Sequence, residues 1–325
     1  MKKIPISLIV DDSTPIISIS YYGARYLSDG MEKVARFSLD LLFDFCRVVE
    51  EQGIRGKFSI VPMPAAQGDI VSGINGVSRD ELDTWLDTVR RRIAPRFAIC
   101  PEMLTHSKAI DLATGAPTDI REDEWSQTQS RETLTPYITR AVELVRDAGF
   151  SVRGVTSPWD FGIKVEDDYA AAISDAVYSA TSSHVSWYFL HCIRDTAGIR
   201  PWIAIDDGDR TVVTIPVNTR DHVWKTLEST RTDDEFISSL ADGYITSDGT
   251  DGEIVRAIRA GSYPMILTHW QSLMSNGTGI GIRVIEEVAH RVNERLSDVV
   301  EWTSFEKIVD DVVSDKDNYQ PYHRS

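Results

Sequence analysis

Four short stretches of the chain carry residue types able to do hydrolytic or metal chemistry. Asp11 and Asp12 stand together after the apolar run Ile6 to Val10, and Glu102 and His106 lie four apart just after Phe97 to Cys100. Thr156-Ser157-Pro158-Trp159-Asp160 closes the run that starts at Val152, and His269 follows Met265 to Thr268 with Trp270 next to it. Carboxylates and imidazoles hold divalent cations, and the same groups move protons near neutral pH. Two aspartates, a spaced glutamate and histidine, and a separate histidine therefore suffice for a cation with an acid and a base beside it. The four-residue spacing puts Glu102 and His106 on one face if that stretch is helical.

Each stretch sits where an apolar run stops, so the runs come next. Ile6–Val10 reads as a first strand, followed by helical spacing through Met31, Val34, Ala35, Ser38, Leu41, Leu42, Phe45 and Val49 up to Gly53. Lys57 to Val61 reads as a second strand, and Ser78 with Glu81 forms a capping box before Leu82, Trp85, Leu86 and Val89. Thr135-Pro136 reads as the start of a helix over Ile138, Ala141, Val142 and Val145, stopped at Gly149 before a strand at Val152–Thr156. Strands are expected at Val185–Leu190 and Val212–Val217, the latter paired with Trp202–Ile205 through a turn at Gly208. Thr250 with Glu253 and Thr303 with Glu306 read as further helix starts, and Ile285, Val288, Ala289, Val292 and Leu296 mark a long helix before Val299–Trp302.

Strand and helix alternate throughout, which favours a parallel sheet, and about seven β/α units without a linker favour a distorted (β/α) barrel over an open doubly wound sheet. In either fold the active site lies at the C-terminal strand ends, where the four stretches fall. One barrel domain is expected over 1–319, with a β-hairpin insertion near 200–218 and a loose tail over 320–325.

The net charge of −16 disfavours nucleic acid and anionic membranes as partners, leaving small neutral or cationic substrates. Apolar residues at 42% and charged residues at 26% are a globular balance. No run approaches the roughly 20 apolar residues of a membrane helix. The start of the chain, MKKIPISLIVDD, reads as a strand rather than a secretion signal, which makes a cytoplasmic address the expectation. Cys46, Cys100 and Cys192 have no pairing or zinc-knuckle spacing and read as buried apolar residues. Asp206-Asp207-Gly208-Asp209 reads as a hairpin turn rather than a calcium loop, and Gly277-Thr278-Gly279-Ile280-Gly281 lacks the last glycine of a dinucleotide fingerprint.

In this order and spacing the chain resembles the polysaccharide deacetylases of the NodB-homology type, also called carbohydrate esterase family four. The family's T-F-D-D motif falls on Val10-Asp11-Asp12, and its K-A-T-F-F-V strand on Gly56-Lys57-Phe58-Ser59-Ile60-Val61. Its H-[S/T]-x-x-H motif falls on Glu102-Met103-Leu104-Thr105-His106, with Glu102 in place of the first histidine. The proline and glycine of its third motif match Pro158 and Gly162, while the motif's arginine is absent. Asn218-Thr219-Arg220-Asp221 with Trp224 is a loose counterpart of the fourth motif, and Met265 to His269 matches the fifth.

The resemblance implies hydrolysis of a carbon–nitrogen amide bond, such as an N-acetyl group on a sugar or glycan precursor. It implies Asp11 as base, His269 as acid, and Asp12, Glu102 and His106 as ligands of a divalent metal. Zinc is the first expectation, and manganese, iron, cobalt and nickel stay open because the second carboxylate hardens the site. Arg153, Arg25 or Lys164 would have to replace the missing arginine beside the base. Trp159, Asp160 and Trp270 are expected to touch substrate, with Trp187 as a further groove residue. Two other readings stand beside this one: a glycoside hydrolase using carboxylates among Asp11, Asp12, Glu102 and Asp160, and a non-catalytic relative that binds a glycan or protein. Each residue also has a plain structural role open to it: a turn for the aspartate pair, packing for the tryptophans, a backbone-bonded core position for His269.

Overall fold

In the computed structural model, residues 3–17, 36–190 and 198–319 are described. Met31, Val34, Ala35, Arg25, Cys192 and the tail over 320–325 lie outside them. The first strand, β1 (Ile4–Ser13), is the hub. It pairs in parallel with β2 (Gly56–Ile60) and with the late strand β12 (Met265–His269), while β5 (Phe97–Pro101) extends the sheet beyond β2. A short strand, β13 (Val300–Trp302), pairs with the beginning of β1. Two small ribbons are excursions from this body: β3 (Gly68–Asp69) with β4 (Gly73–Ile74), and β6 (Lys108–Asp111) with β7 (Ala116–Arg121).

A second sheet runs β10-β11-β9-β8, built from β8 (Gly154–Ser157), β9 (Val185–Leu190), β10 (Trp202–Asp206) and β11 (Thr211–Pro216). β8, β9 and β11 are parallel to one another and β10 is antiparallel to β11. The expected hairpin is present, with Asp207 accepting from the Asp209 and Arg210 amides in its turn. Because β11 pairs with β9 along its whole length, this hairpin is also part of the body of the sheet.

The sheets meet at one parallel bridge, Glu102 with Thr156. At the opposite margin, side chains stand in for a strand ladder. Asn218 accepts from the Met265 amide at 2.9 Å and donates to the Tyr263 carbonyl at 2.7 Å, and Thr219 accepts from the Leu267 amide at 2.9 Å. Among the described residues the distorted barrel expected from the alternation is not seen to close: the strands form two main sheets, five-stranded and four-stranded, in a mixed α/β fold.

Both faces of β1 are buried, as its unbroken apolar run requires. One face joins the cluster under the helices through Ile6, Leu8 and Val10. The other joins Ile9 to Ala98, Cys100, Trp187, Phe189, Val213, Ile215, Met265 and Leu267, and the helix Phe305–Ser314 fills this inner face with Phe305, Ile308, Val309 and Val312. Gly154 is required there: a Cβ would meet the Trp187 ring at 2.0 Å.

Several helix starts differ from the sequence expectation for one reason, a competing cap. The helix Leu39–Gln52 begins after Ser38, whose hydroxyl accepts from the Asp40 amide. The helix Arg131–Asp147 begins at a Ser130–Thr133 box, leaving Pro136 inside it and Thr135 bonded to the Arg131 carbonyl. Gly252 precedes the helix Glu253–Arg259, and Thr250 bonds Asp248 instead. Ser304, not Thr303, caps the last helix, because the Thr303 amide is used on the Ile6 carbonyl. The Ser78–Glu81 box forms as expected. No helix among the described residues is long and apolar enough to cross a membrane.

Candidate metal centre at the strand ends

In a regular strand adjacent side chains point to opposite faces, so Asp11 and Asp12 could not share a site without an irregularity. β1 supplies one. Its register against β2 shifts between Val10 and Ser13, and Asp12 takes a left-handed backbone, φ 60°. This bulge brings both carboxylates into one buried site.

Glu102 leaves β5 at its bridge to Thr156, and its Oε2 accepts from the Asp12 amide and from Ser59 Oγ, each at 2.5 Å. His106 arrives without a helix. Met103 and His106 both have left-handed backbones, φ 37° and 51°, so a doubled turn, not a helical face, carries the four-residue spacing. The result places His106 Nε2 2.8 Å from Asp12 Oδ1 and 3.7 Å from Glu102 Oε1. One ligand atom from each of Asp12, Glu102 and His106 lies within 4.8 Å of the others.

Two of these carboxylates are underused. Glu102 Oε1 is buried without a hydrogen-bond partner among the described residues, and Asp12 Oδ1 has its ion pair with His106 but no hydrogen bond of acceptable geometry. Buried carboxylate oxygens left this way are costly unless a cation meets them. Two hard oxygens and one imidazole nitrogen suit a divalent transition metal, so the residues present fit one. Gln271 Nε2, donating to Asp12 Oδ2 at 2.6 Å, fixes the other oxygen of that carboxylate.

Electrostatics follow from the crowding. Burial pushes Glu102 well above the usual carboxylate range, helped by the charges of Asp12 and Asp11. For Asp12 burial pushes the same way, but the charge of His106 beside it outweighs burial and holds the carboxyl far below that range. Burial opposes charge on His106 too, yet Asp12 and Glu102 raise it to about 10.

Asp11, in register with His269, has Lys57 Nζ on Oδ1 and nothing on Oδ2 among the described residues. Lys57 and Asp11 are both fully buried, and Lys57 also donates to Thr156 Oγ1 at 2.6 Å and lies 4.7 Å from the Phe189 ring centroid. The cation beside Asp11 is therefore Lys57 from β2. Arg153 is committed to Glu306 and Asp310, Lys164 is exposed, and Arg25 lies outside the described residues.

His269 ends β12 with Nδ1 2.8 Å from Asp221 Oδ2, and Ser272 Oγ donates to the same oxygen at 2.8 Å. Burial alone would lower His269; the hydrogen bond to Asp221 and the charge of Asp12 raise it to about 9.

The expected substrate contacts separate. Trp159, with φ 47°, is half-buried, lies 4.1 Å centroid to centroid from the His106 ring, and has Arg121 4.5 Å from its own ring centroid. Asp160 next to it is exposed. Trp270 turns the other way: it is 2% exposed and packs edge-on against Phe45, Phe58 and Trp85, so it is a core side chain, out of a substrate's reach. Trp187 is likewise buried, against Phe305, with its indole N–H on Glu306. Trp224 stands edge-on to His269 at 5.1 Å and is 37% exposed.

Sequence reasoning passed over Lys57 and Gln271. Lys57 had a signal: with Ser59 it is polar on one face of a strand whose other positions are apolar. Gln271, two residues after His269, had none.

No protein-family model matches the chain, and no curated protein matches it in sequence. Among solved structures, it is similar to a Mycobacterium smegmatis protein assigned as a polysaccharide deacetylase. The two share 13% identity with a TM-score of 0.52, over 88% of this chain and 81% of that one. It is also similar to a Parabacteroides distasonis protein assigned as a glycoside hydrolase/deacetylase, at 9% identity and TM-score 0.52, over 96% of this chain and 71% of that one. At these identities the likeness is one of fold.

Proposed function

We propose that the chain is a metal-dependent hydrolase of a carbon–nitrogen amide bond, acting on an N-acetylated sugar or glycan precursor. The observation that carries this reading is the set of buried carboxylate oxygens without hydrogen bonds, on Asp12 and Glu102 beside His106, within a site that also holds Asp11 and His269. A divalent cation there supplies Lewis-acid polarisation of the scissile carbonyl and acidifies a water.

The chain's own residues do the rest. Asp11 accepts the proton of the attacking water at Oδ2, while Lys57 holds Oδ1. His269, raised above its ordinary value by the hydrogen bond to Asp221 although burial opposes it, carries the proton and delivers it to the leaving amine nitrogen; Asp221 fixes the ring through Nδ1. Trp159, half-buried beside the His106 ring, is the aromatic side chain that would contact the sugar. The fold likeness to proteins assigned as deacetylases supports the substrate class. The net charge of −16 favours a neutral or cationic substrate over a polyphosphate.

The first test is metal content of the purified protein before and after chelation, beside Glu102→Ala and His106→Ala. About one equivalent in the parent, lost in both variants, is expected, followed by deacetylation of N-acetylated oligosaccharides that stops on chelation. A protein that takes up no divalent metal under reconstitution, or that hydrolyses glycosidic bonds with chelator present, sinks the reading.

A further inference from the structure

The loop that carries His106 poses a backbone problem. From Met103 to His106 it turns twice through left-handed conformations, and this aims three successive amide N–H groups, those of Leu104, Thr105 and His106, to one side. Leu104 and Thr105 are buried, so water does not satisfy their amides, and His106 is half-buried beside them. One side chain takes all three. Glu122 Oε1 accepts from Leu104 at 3.0 Å and Thr105 at 2.9 Å, and Oε2 accepts from His106 at 2.9 Å. Tyr137 Oη donates to Oε1 at 2.7 Å.

Glu122 reaches this place because the β6–β7 ribbon carries the chain out and back: the Glu122 amide donates to the Ser107 carbonyl at 2.8 Å, closing the excursion beside His106. The neighbouring residue works on the ring. Arg121 lies over the Trp159 ring, which packs at a 52° tilt against the His106 imidazole. The backbone of His106 is thus held by Glu122 and its imidazole is packed by Trp159.

We propose that Glu122 is a positioning residue for His106, its carboxylate fixing the 104–106 loop so that Nε2 stays aimed at Asp12 and Glu102; the proposal rests on the metal-centre reading above. Glu122 bonds the backbone amide of His106 and not its ring, so it acts through the geometry of a ligand. Partners of this kind typically set metal affinity by 10–100-fold.

The test measures binding, not turnover. Manganese(II), cobalt(II) and zinc(II) are each titrated calorimetrically into the chelated full-length chain, its Glu122→Gln variant and its Tyr137→Phe variant, with thermal unfolding recorded for all three. Glu122→Gln keeps one acceptor oxygen and loses the other, so affinity should fall roughly 10–100-fold, with a changed cobalt(II) visible spectrum. Tyr137→Phe removes a bond to the same carboxylate without touching the loop, and should lower the melting temperature while leaving affinity within about threefold. A folded Glu122→Gln variant that binds metal within about twofold of the parent overturns the proposal. If that variant does not fold, Glu122→Asp, too short to span all three amides, carries the same comparison. If the parent binds none of the three metals, the metal-centre reading fails separately. The cradle is then judged by hydrogen exchange: amides 104–106 should be protected in the parent and exchange at least about tenfold faster in the variant, and unchanged exchange overturns it.

Discussion

Lys57 and Asp11 form an ion pair in which neither side chain is exposed at all, between the second strand of the sheet and the C-terminal end of the first. Removing one partner strands a buried charge, whereas removing both does not. Lys57→Met should therefore cost about 3–5 kcal/mol in denaturant unfolding, and adding Asp11→Asn should recover much of it. Turnover should be lost in both. A Lys57→Met variant as stable as the parent would falsify the buried pair.

His269 and Asp221 form the complementary pair, and here the sign of the pH effect is the prediction. The acid must be protonated, and with the Asp221 hydrogen bond raising His269 against its burial, activity should persist through neutral pH and fall on the alkaline side. Asp221→Asn removes the hydrogen bond that raises it, so the alkaline limb should move down toward the ordinary 6.5. Turnover near pH 8 should drop by about 10–100-fold, with a smaller loss at pH 6. An alkaline limb that stays where it was assigns the acid to another group.

The order of strands and helices was legible because an apolar run buried on both faces has few alternatives, and Val185–Leu190 matches its expected bounds residue for residue. Asp12, Glu102 and His106 were legible as types at strand ends. Their arrangement was not, since it depends on a bulge at Asp12 and left-handed turns at Met103 and His106, at positions where no glycine announces a positive φ. Glu122 sits in the acidic run Glu122-Asp123-Glu124, and nothing in the sequence distinguishes the buried carboxylate from an exposed neighbour such as Glu124. Trp270 was misplaced because residue type and adjacency to His269 do not say which way a side chain turns when a strand gives way to the helix Trp270–Met274.

In the chelated protein, both site histidines lie above their ordinary 6.5, His106 at about 10 and His269 at about 9. The folded state holds these protons more tightly than the unfolded chain. Their contribution to stability is fully present below about pH 6.5 and is lost as pH rises through 9 to 10. Denaturant midpoints of the metal-free protein should therefore decline across that window. A metal must displace the His106 proton, so its binding should release protons near neutral pH and tighten as pH rises. Calorimetry in buffers of different ionisation enthalpy reads the release directly, and no release would argue against His106 as a ligand.

Trp159 and Trp270 were expected to act alike and should respond in opposite ways. Trp270 is enclosed by Phe45, Phe58 and Trp85, so Trp270→Ala leaves a cavity and should cost about 3–5 kcal/mol. Its metal affinity, measured well below the melting temperature, should be unchanged. Trp159 is half-buried over His106, with the Arg121 guanidinium on its ring, so Trp159→Ala should cost far less stability. Its effect should fall on substrate: KM for an N-acetylated oligosaccharide up by about tenfold, which corresponds to about 1.4 kcal/mol. If Trp159→Ala leaves KM unmoved while lowering metal affinity, the indole serves to hold the His106 ring and the sugar must be bound elsewhere on the rim.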